Sequence, residues 1–170
     1  MSAVFSPCRS WRYVLERRLD DAPLFARGIA VFIGLNPSTA DEVIDDPTIR
    51  RCKAFARDWG FGTYRMLNLY AWRSTDPRAL AKVPDPIGPE NDAHLIDGTS
   101  DADVVICAWG TNALGNRAED VVAMLRGKNA GGVMRRLHCL RLTKNGAPSH
   151  PLYLPGDLKP IPFTQRTVSP

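Results

Sequence analysis

Three side chains combine a group capable of chemistry with a constrained backbone: Asn36, Asn68 and His150. Asn36 follows the apolar run GIAVFIGL and precedes Pro37, which holds Asn36 in an extended conformation. The Asn36 amide both donates and accepts, so it could orient a water molecule or a ligand. The residues leave an alternative open: an Asx-type turn that stabilises the loop before Ser38, itself a possible helix cap.

Asn68 interrupts the apolar segment TYRMLNLYAW. An unpaired buried amide costs roughly 1 to 3 kcal/mol, so we expect a neighbouring loop or a ligand to satisfy it. An amide complements a pyrimidine edge, because O4 accepts and N3–H donates a hydrogen bond. Trp72 and Trp109 could stack on such a base, or they could belong to the core, as Trp residues at strand ends commonly do.

His150 lies between two prolines in the segment PSHP, so its ring is held in a defined direction. Such a histidine can donate to an oxyanion or move a proton near neutral pH. The other two histidines favour structural roles, since His94 falls in a predicted helix and His138 in a predicted strand.

The acidic residues Asp41, Glu42, Asp45 and Asp46 could bind a hard cation through their oxygens. The alternative is a solvated loop that starts a helix, with Asp46 as the N-cap. The sequence contains no phosphate-binding glycine loop, dinucleotide motif, nucleophile elbow or zinc-ligand spacing. We therefore predict neither a metal site nor a cofactor.

The elements that must position these side chains follow from the apolar pattern. Strands are predicted at GIAVFIGL, TYRMLNLYAW, DVVICAWG and RRLHCLRL, and the first is apolar on both faces, as in a central strand. A helix is predicted from Pro47 to just before Gly60, and shorter helices at 90–96 and 119–125. Alternation at Trp11, Tyr13 and Leu15 suggests a half-buried strand before a turn at 20–23.

Strands that alternate with helices predict an α/β protein. We expect three α/β/α layers around a central, mainly parallel, four-stranded sheet, in one domain over residues 1–170. In such sheets ligands bind at the carboxyl ends of the strands. Polar or aromatic residues follow each predicted strand, at Asn36 and at 68–73, 109–112 and 144–153, so we expect them to converge on one rim.

Composition narrows the classes of protein. The chain has 170 residues, 44% of them hydrophobic, but no apolar run long enough to span a membrane and no apolar signal segment, so a cytoplasmic protein is expected. The four cysteines are far apart and are predicted to be reduced and mostly buried. The net charge of +4 is uneven, because residues 126–170 hold eight basic side chains and one acid. That segment could attract phosphate-bearing partners or form a solvated basic face.

The segments IGLNPSTADEVIDDPTIRRCKAFARDWGFG, LNLYAWRSTDP, AWG and LTKNGAPSHPLY resemble a bacterial and phage family, domain-of-unknown-function family 1643. A more distant resemblance is to the uracil-DNA glycosylase superfamily. Its first motif, a strand that ends in Gly-x-Asn-Pro, is similar to Gly34 to Pro37. An Asn on a later strand matches Asn68 before RSTDPRAL, a strand-end Gly followed by Ala matches Gly110, and a closing His-Pro matches His150.

This resemblance implies that Asn36 positions the attacking water, that Asn68 recognises the base edge and that His150 stabilises charge on the base carbonyl. The sequence departs from the superfamily at Ser38, where a Gly is usual, and at Leu152 and Tyr153, which replace a Ser-containing segment that grips DNA phosphate. The cysteines of the iron-sulfur branch are also absent, since Ala71 and Trp72 occupy that region.

We therefore expect a uracil-DNA glycosylase-like protein that binds a nucleobase and hydrolyses an N-glycosidic bond in DNA or a nucleotide. The expected catalytic residues are Asn36 and His150. The expected substrate-binding residues are Gly34, Pro37, Ser38, Asn68, Trp72, Arg73, Trp109, Lys144 and Tyr153. The alternatives are a non-catalytic module that binds a nucleotide, modified base or nucleic acid, and a metal-dependent nuclease that uses the acidic residues.

Overall fold

The computed structural model describes residues 2–19, 26, 28–127 and 135–164. In these residues one mixed sheet has the strand order β1-β2-β4-β3-β5-β6-β7. The strands are β1 (Ser2–Phe5), β2 (Arg12–Arg18), β3 (Ile29–Gly34), β4 (Thr63–Asn68), β5 (Val104–Cys107), β6 (Leu137–Cys139) and β7 (Ile161–Pro162). The helices are α1 (Pro47–Asp58), α2 (Asn91–Ser100) and α3 (Arg117–Arg126), with short 3-10 helices at Pro77–Lys82 and Pro151–Tyr153.

The α/β class is confirmed, but the prediction of a mainly parallel four-stranded sheet is wrong. The four predicted strands form the parallel centre, β4-β3-β5-β6, and three further strands pair antiparallel at its edges. The strand suggested around Tyr13 is β2. The edge strands β1 and β7 escaped prediction because they are short and lack a buried apolar run. Backbone pairing to a neighbour, which sequence periodicity does not report, defines them.

Alternate side chains of β3 enter two separate cores. Ala30 and Phe32 pack with the buried face of α1, whereas Val31 and Ile33 pack with residues of α2 and α3. Helices thus cover both faces of the sheet, which explains why this strand is apolar throughout. One core packs against each face of the sheet, so both faces hold the strands in place. The loops at the carboxyl ends of these strands therefore start from fixed positions.

Helix α1 begins and ends where its signals predict. The Asp46 carboxylate accepts from the Ile49 backbone N–H at 2.9 Å, Pro47 is the first helical residue, and Gly60 has a φ of +85° just past the end. This confirms Asp46 as the N-cap. Ser38, considered as a possible cap, precedes an irregular loop instead.

The predicted turn at 20–23 lies outside the described residues, and the single domain over residues 1–170 stays a prediction. Within the described ranges, no helix combines the length and apolarity that a membrane crossing requires.

The four cysteines carry free thiols, and three are buried as predicted, whereas Cys8 is exposed. Hydrogen bonds from Ser10 and Ser6 lower the pKa of Cys8 to about 7, while burial raises the pKa of Cys52 to about 12. Cys8 therefore carries a large thiolate fraction at neutral pH, and the thiolate is the reactive form.

We expect one fast-reacting thiol when native protein is treated with iodoacetamide, with a rate that rises with pH and is half-maximal near the Cys8 pKa of about 7. The buried thiols should react only after unfolding. Peptide mass mapping identifies the alkylated residue, and Cys8→Ser should abolish the fast phase. Rapid alkylation of Cys52, Cys107 or Cys139 in the native protein would contradict this packing.

Candidate functional site

A cavity of about 770 Å³ opens where the loops after β3, β4, β5 and β6 meet. Seven residues that sequence reasoning selected line it: Gly34, Asn36, Ser38, Trp109, Lys144, His150 and Tyr153. Asn68 lies directly behind Gly34, while Pro37, Trp72 and Arg73 are absent from the lining. The cavity therefore brings both predicted catalytic residues to one place at the carboxyl end of the sheet.

The Asn36 side chain fastens two loops together. Its Nδ2 donates to the Ser74 carbonyl oxygen at 2.8 Å and to the Pro37 carbonyl oxygen at 3.0 Å, with a longer contact to the Trp72 carbonyl at 3.5 Å. These hydrogen bonds stand in place of the Asx-type turn that the sequence left open. No described residue donates to Oδ1, so Asn36 can offer a ligand or water an acceptor in a fixed direction.

Asn68 is buried, at 1% exposure, and neither polar atom of its amide has a hydrogen-bond partner. Its backbone is held from the opposite face, where the Asn91 amide donates to the Asn68 and Leu69 carbonyls. A Cβ added at Gly34 would lie 2.9 Å from Asn68 Oδ1 and 2.5 Å from Met66 Cε. Gly34, which lines the cavity, thus leaves room for the side chains of Asn68 and Met66, whereas Asn68 itself is not part of the lining.

The ring of His150 is fixed by its own backbone turn. Its Nδ1 accepts from the Leu152 N–H at 3.4 Å, which leaves the proton on Nε2, and no described residue accepts from that Nε2–H. The Gly110 N–H donates to the Pro148 carbonyl at 2.8 Å and anchors the loop before His150. Burial lowers the pKa of His150, and the Asp46 carboxylate opposes this in part. At neutral pH the ring is therefore a neutral hydrogen-bond donor.

Two aromatic residues and a lysine lie between the interior and the mouth of the cavity. Trp109 is buried against Phe163, with ring centroids 5.8 Å apart, and lines both this cavity and a second one of similar volume beside α3. Tyr153 is 83% exposed and its ring centroid lies 5.9 Å from that of His150. Lys144 is exposed and borders both cavities.

Trp72 and Arg73 lie on a different part of the surface. The ring of Trp72 meets the edge of Trp11 at 5.7 Å, and the Arg73 guanidinium lies 5.0 Å from the centre of the Phe5 ring. The chain turns toward β2 at this point, because the Arg73 N–H donates to the Ser10 carbonyl. The buried Pro37 accepts from the Ser74 N–H at 2.8 Å. The substrate-binding roles of these three residues stay predictions.

The acidic run is engaged with the protein itself. The Asp41 carboxylate accepts from two backbone N–H groups of its own loop, Glu42 pairs with Arg9 at 2.8 Å, and Asp45 pairs with Arg17 at 2.9 Å and with Lys53. Across the part of the chain that the structure describes, no three His, Cys, Asp or Glu residues group as metal ligands would. Asp46, however, lines the cavity as well as capping α1.

Arg12 also lines the cavity, and sequence reasoning missed it. It lies at the start of β2, is 1% exposed and donates through Nη1 to the Ala40 carbonyl at 2.7 Å. An arginine in an alternating strand ordinarily predicts a solvent-facing side chain, and its burial comes from the distant loop after β3. Two residues of the basic C-terminal segment, Arg141 and Lys144, reach this cavity, while Lys128 and Arg166 lie outside the described residues.

The lowered pKa of His150 makes a pH-dependent prediction. In the unfolded state His150 has its ordinary pKa of 6.5, whereas in the folded state its pKa is lower. Between these two pKa values the unfolded state therefore binds more protons than the folded state. This contribution to stability is fully present above pH 6.5 and is lost as pH falls toward the folded pKa. An NMR titration should place the His150 midpoint below 6.5.

The free energy of unfolding, measured in urea on both sides of that pH, should fall less on acidification in His150→Gln than in the wild type. A His150 midpoint at or above its ordinary value would refute the neutral donor.

Comparison with known proteins supplies a family. The family model described as a protein of unknown function (DUF1643) matches residues 12–152, which is most of the chain and includes every strand that borders the cavity. No curated protein and no solved structure matches. The chain belongs to the DUF1643 family of proteins of unknown function.

Proposed function

We propose that the cavity binds a nucleobase and that the protein hydrolyses the N-glycosidic bond of that base, in the manner of the uracil-DNA glycosylase superfamily that its motif order resembles. One observation carries the proposal. Asn68 is buried with both polar atoms of its amide unpaired, next to a cavity that also holds the free Nε2–H of His150 and the free Oδ1 of Asn36. A base that enters from the cavity supplies the missing partners when the side chains that enclose the Asn68 amide, Met66 among them, move aside.

The unpaired amide matches the edge of an oxo-pyrimidine. Asn68 Nδ2 donates to a ring carbonyl oxygen and Oδ1 accepts from the adjacent ring N–H, which recovers part of the roughly 1 to 3 kcal/mol that burial of an unpaired amide costs. Gly34 makes room for this amide, because a Cβ there would lie 2.9 Å from Asn68 Oδ1 and 2.5 Å from Met66 Cε.

The remaining groups fit the hydrolysis of the bond between the base and C1′ of the sugar. The base leaves with the electron pair of that bond, and the neutral His150 ring donates Nε2–H to the base carbonyl on which negative charge develops. A water held by Asn36 Oδ1 forms the new bond to C1′. An amide cannot take up the proton that this water loses. Asp46, the one carboxylate among the described lining residues, accepts it.

A binding module without catalysis is the second candidate. It is favoured by the use of the Asn36 amide nitrogen in three backbone contacts, since an Asn at this position then also has a purely structural reason to be present. It is also favoured by Tyr153, which stands exposed where the superfamily has its phosphate-gripping segment. The metal-dependent nuclease is not proposed, because Asp41, Glu42 and Asp45 are committed to ion pairs and backbone N–H groups, which leaves Asp46 as the one carboxylate among the described lining residues.

Base release separates these candidates. Oligonucleotides and nucleotides that contain uracil or hypoxanthine, incubated with wild-type protein, should release free base without added metal. Asn36→Ala and His150→Ala should each lower the rate by about 10² to 10⁴, the range for a lost catalytic proton-transfer or charge-stabilising group. Asn145→Ala, which changes an exposed Asn outside this cavity, is the matched control. Nucleoside binding without base release would favour the binding module.

Asn68→Leu tests the role of the unpaired amide directly. The substitution keeps the side-chain size and removes two unpaired polar atoms, so the free energy of unfolding should stay the same or rise by about 1 kcal/mol. Binding of uridine, followed by calorimetry, should be lost. A clear loss of stability in this variant would show that Asn68 serves the fold, and unchanged uridine binding would remove it from the site.

A further inference from the structure

Arg12 is a positive charge buried at the cavity without an ion-pairing partner among the described residues, although the Asp46 carboxylate acts on it from a longer distance. Arg12 is 1% exposed, and no carboxylate of the described residues lies within ion-pairing distance of its guanidinium. Burial lowers the pKa of Arg12 to about 10. A group with this pKa is protonated at neutral pH, so the folded protein holds a desolvated positive charge.

Another arginine of the same strand shows the usual solution. The Arg17 side chain is fully buried, and its guanidinium pairs with Asp45 at 2.9 Å while also donating to backbone carbonyls. Arg117, buried beside α2, likewise pairs with Asp92. Buried arginines elsewhere in the described structure thus have a carboxylate, and Arg12, which borders the cavity, has none.

The unused donors of Arg12 have a defined geometry. Nη1 donates to the Ala40 carbonyl, whereas no described residue accepts from Nε or Nη2, and Nε is fully buried. Because Nε has no accessible surface, Nη2 is the unused donor that a ligand in the cavity can reach, and a charged donor of this kind favours a carboxylate or phosphate oxygen. The contact to Ala40 fixes the plane of the guanidinium, so Nη2 is oriented before any ligand binds.

The charge of the lining agrees with an anionic occupant. Its described residues include the cations Arg12, Arg141 and Lys144 and the single carboxylate of Asp46. The innermost of these cations is enclosed, so the group that meets it must fit inside the protein. A terminal oxyanion fits this requirement, whereas a phosphodiester within a polymer continues as chain on both sides.

We propose that the cavity takes a free, anionic nucleobase compound, and that a terminal oxyanion of this ligand accepts a hydrogen bond from Nη2 of the Arg12 guanidinium. The proposal rests on the proposed function for the base itself and adds the class of molecule that carries it. The oxyanion is either the phosphate of a nucleoside monophosphate or a carboxylate on the base. Both present an oxygen that accepts from Nη2, and both neutralise the buried charge.

Matched pairs of ligands isolate the oxyanion. Calorimetry compares uridine with uridine 5′-monophosphate, inosine with inosine 5′-monophosphate, and uracil with uracil-6-carboxylate, on wild-type protein at fixed ionic strength. At least one anionic member should bind about tenfold or more tightly than its neutral partner, since hydrogen bonds to charged groups contribute about 1.5 to 3 kcal/mol. The pair that shows this preference identifies phosphate or carboxylate.

Two variants assign the preference to Arg12. Arg12→Lys keeps the charge and can still donate to Ala40 but lacks Nη2, and Arg12→Met removes the charge. Both should bring the ratio of affinities within a pair close to one. The control Arg78→Met, at a side chain that is 86% exposed, should leave the ratio unchanged. Melting temperatures report whether each variant folds.

A measurement on the wild type alone covers the case in which neither Arg12 variant folds. Uridine 5′-monophosphate, inosine 5′-monophosphate or uracil-6-carboxylate should raise the melting temperature of the wild type more than its neutral partner does at equal ionic strength, because the tighter ligand of the folded state stabilises it more. Equal melting temperatures within every pair would then overturn the proposal.

The outcomes separate the two proposals. Equal affinities within every pair would overturn the oxyanion site while nucleoside binding upheld the proposed function. An Arg12-dependent preference that persists in Asn68→Leu, without any binding of neutral partners, would support the oxyanion site and reject the base site. A preference that survives in Arg12→Lys but disappears in Lys144→Met would place the anion at the mouth and overturn the role of Arg12. Failure of every probe to bind at millimolar concentration would overturn both.

Discussion

A buried amide without a hydrogen-bond partner destabilises a folded chain. This protein buries such an amide, that of Asn68, at the end of β4. The backbone of β4 is held in place there by the Asn91 side chain from one face of the sheet. The Asn68 side chain lies on the other face, over Gly34, which lines the cavity. A well-packed interior does not leave such a group unpaired without reason. The constraint therefore defines the cavity as a place where a polar partner is missing.

Hydrogen bonds join the loops around that amide to each other. The Asn36 side chain joins the loop after β3 to the loop after β4, and the Gly110 backbone joins the loop after β5 to the segment that carries His150. These bonds leave one polar atom of Asn36 and one of His150 free, each with a fixed direction. Such pre-organisation lets a site act on a bound base without first reorganising its own groups.

The sequence predicted the elements whose signals are local. The apolar runs of β3 and β5, the cap and proline that begin α1, and the glycine beyond its end are all found as expected. Placing Asn36 and His150 at one cavity required only the rule that parallel strands present their carboxyl ends on the same edge. The short edge strands β1 and β7 were not predicted, because backbone pairing with a neighbouring strand defines them and no apolar pattern does.

Arg12 and Trp72 show the limit of such reasoning. Arg12 follows a tryptophan in an alternating strand, and only the packing of the loop near Ala40 encloses it. Trp72 follows Asn68 by four residues, close enough to suggest the same rim, yet the chain turns and pairs the tryptophan with Trp11 instead. Both outcomes depend on contacts between segments more than twenty residues apart. A sequence pattern confined to one segment cannot report them.

The central claim is that the Asn68 amide contacts the bound ligand, and its side-chain NH₂ resonances test this most directly. Protein labelled with ¹⁵N would be titrated with uridine and uridine 5′-monophosphate, with the Asn68 pair assigned by its loss in Asn68→Leu. If the Asn68 amide contacts the ligand, the chemical shifts of its NH₂ group should change in proportion to the fraction of protein bound, because an unpaired donor gains an acceptor. Saturable binding that leaves these signals unchanged would contradict the central claim.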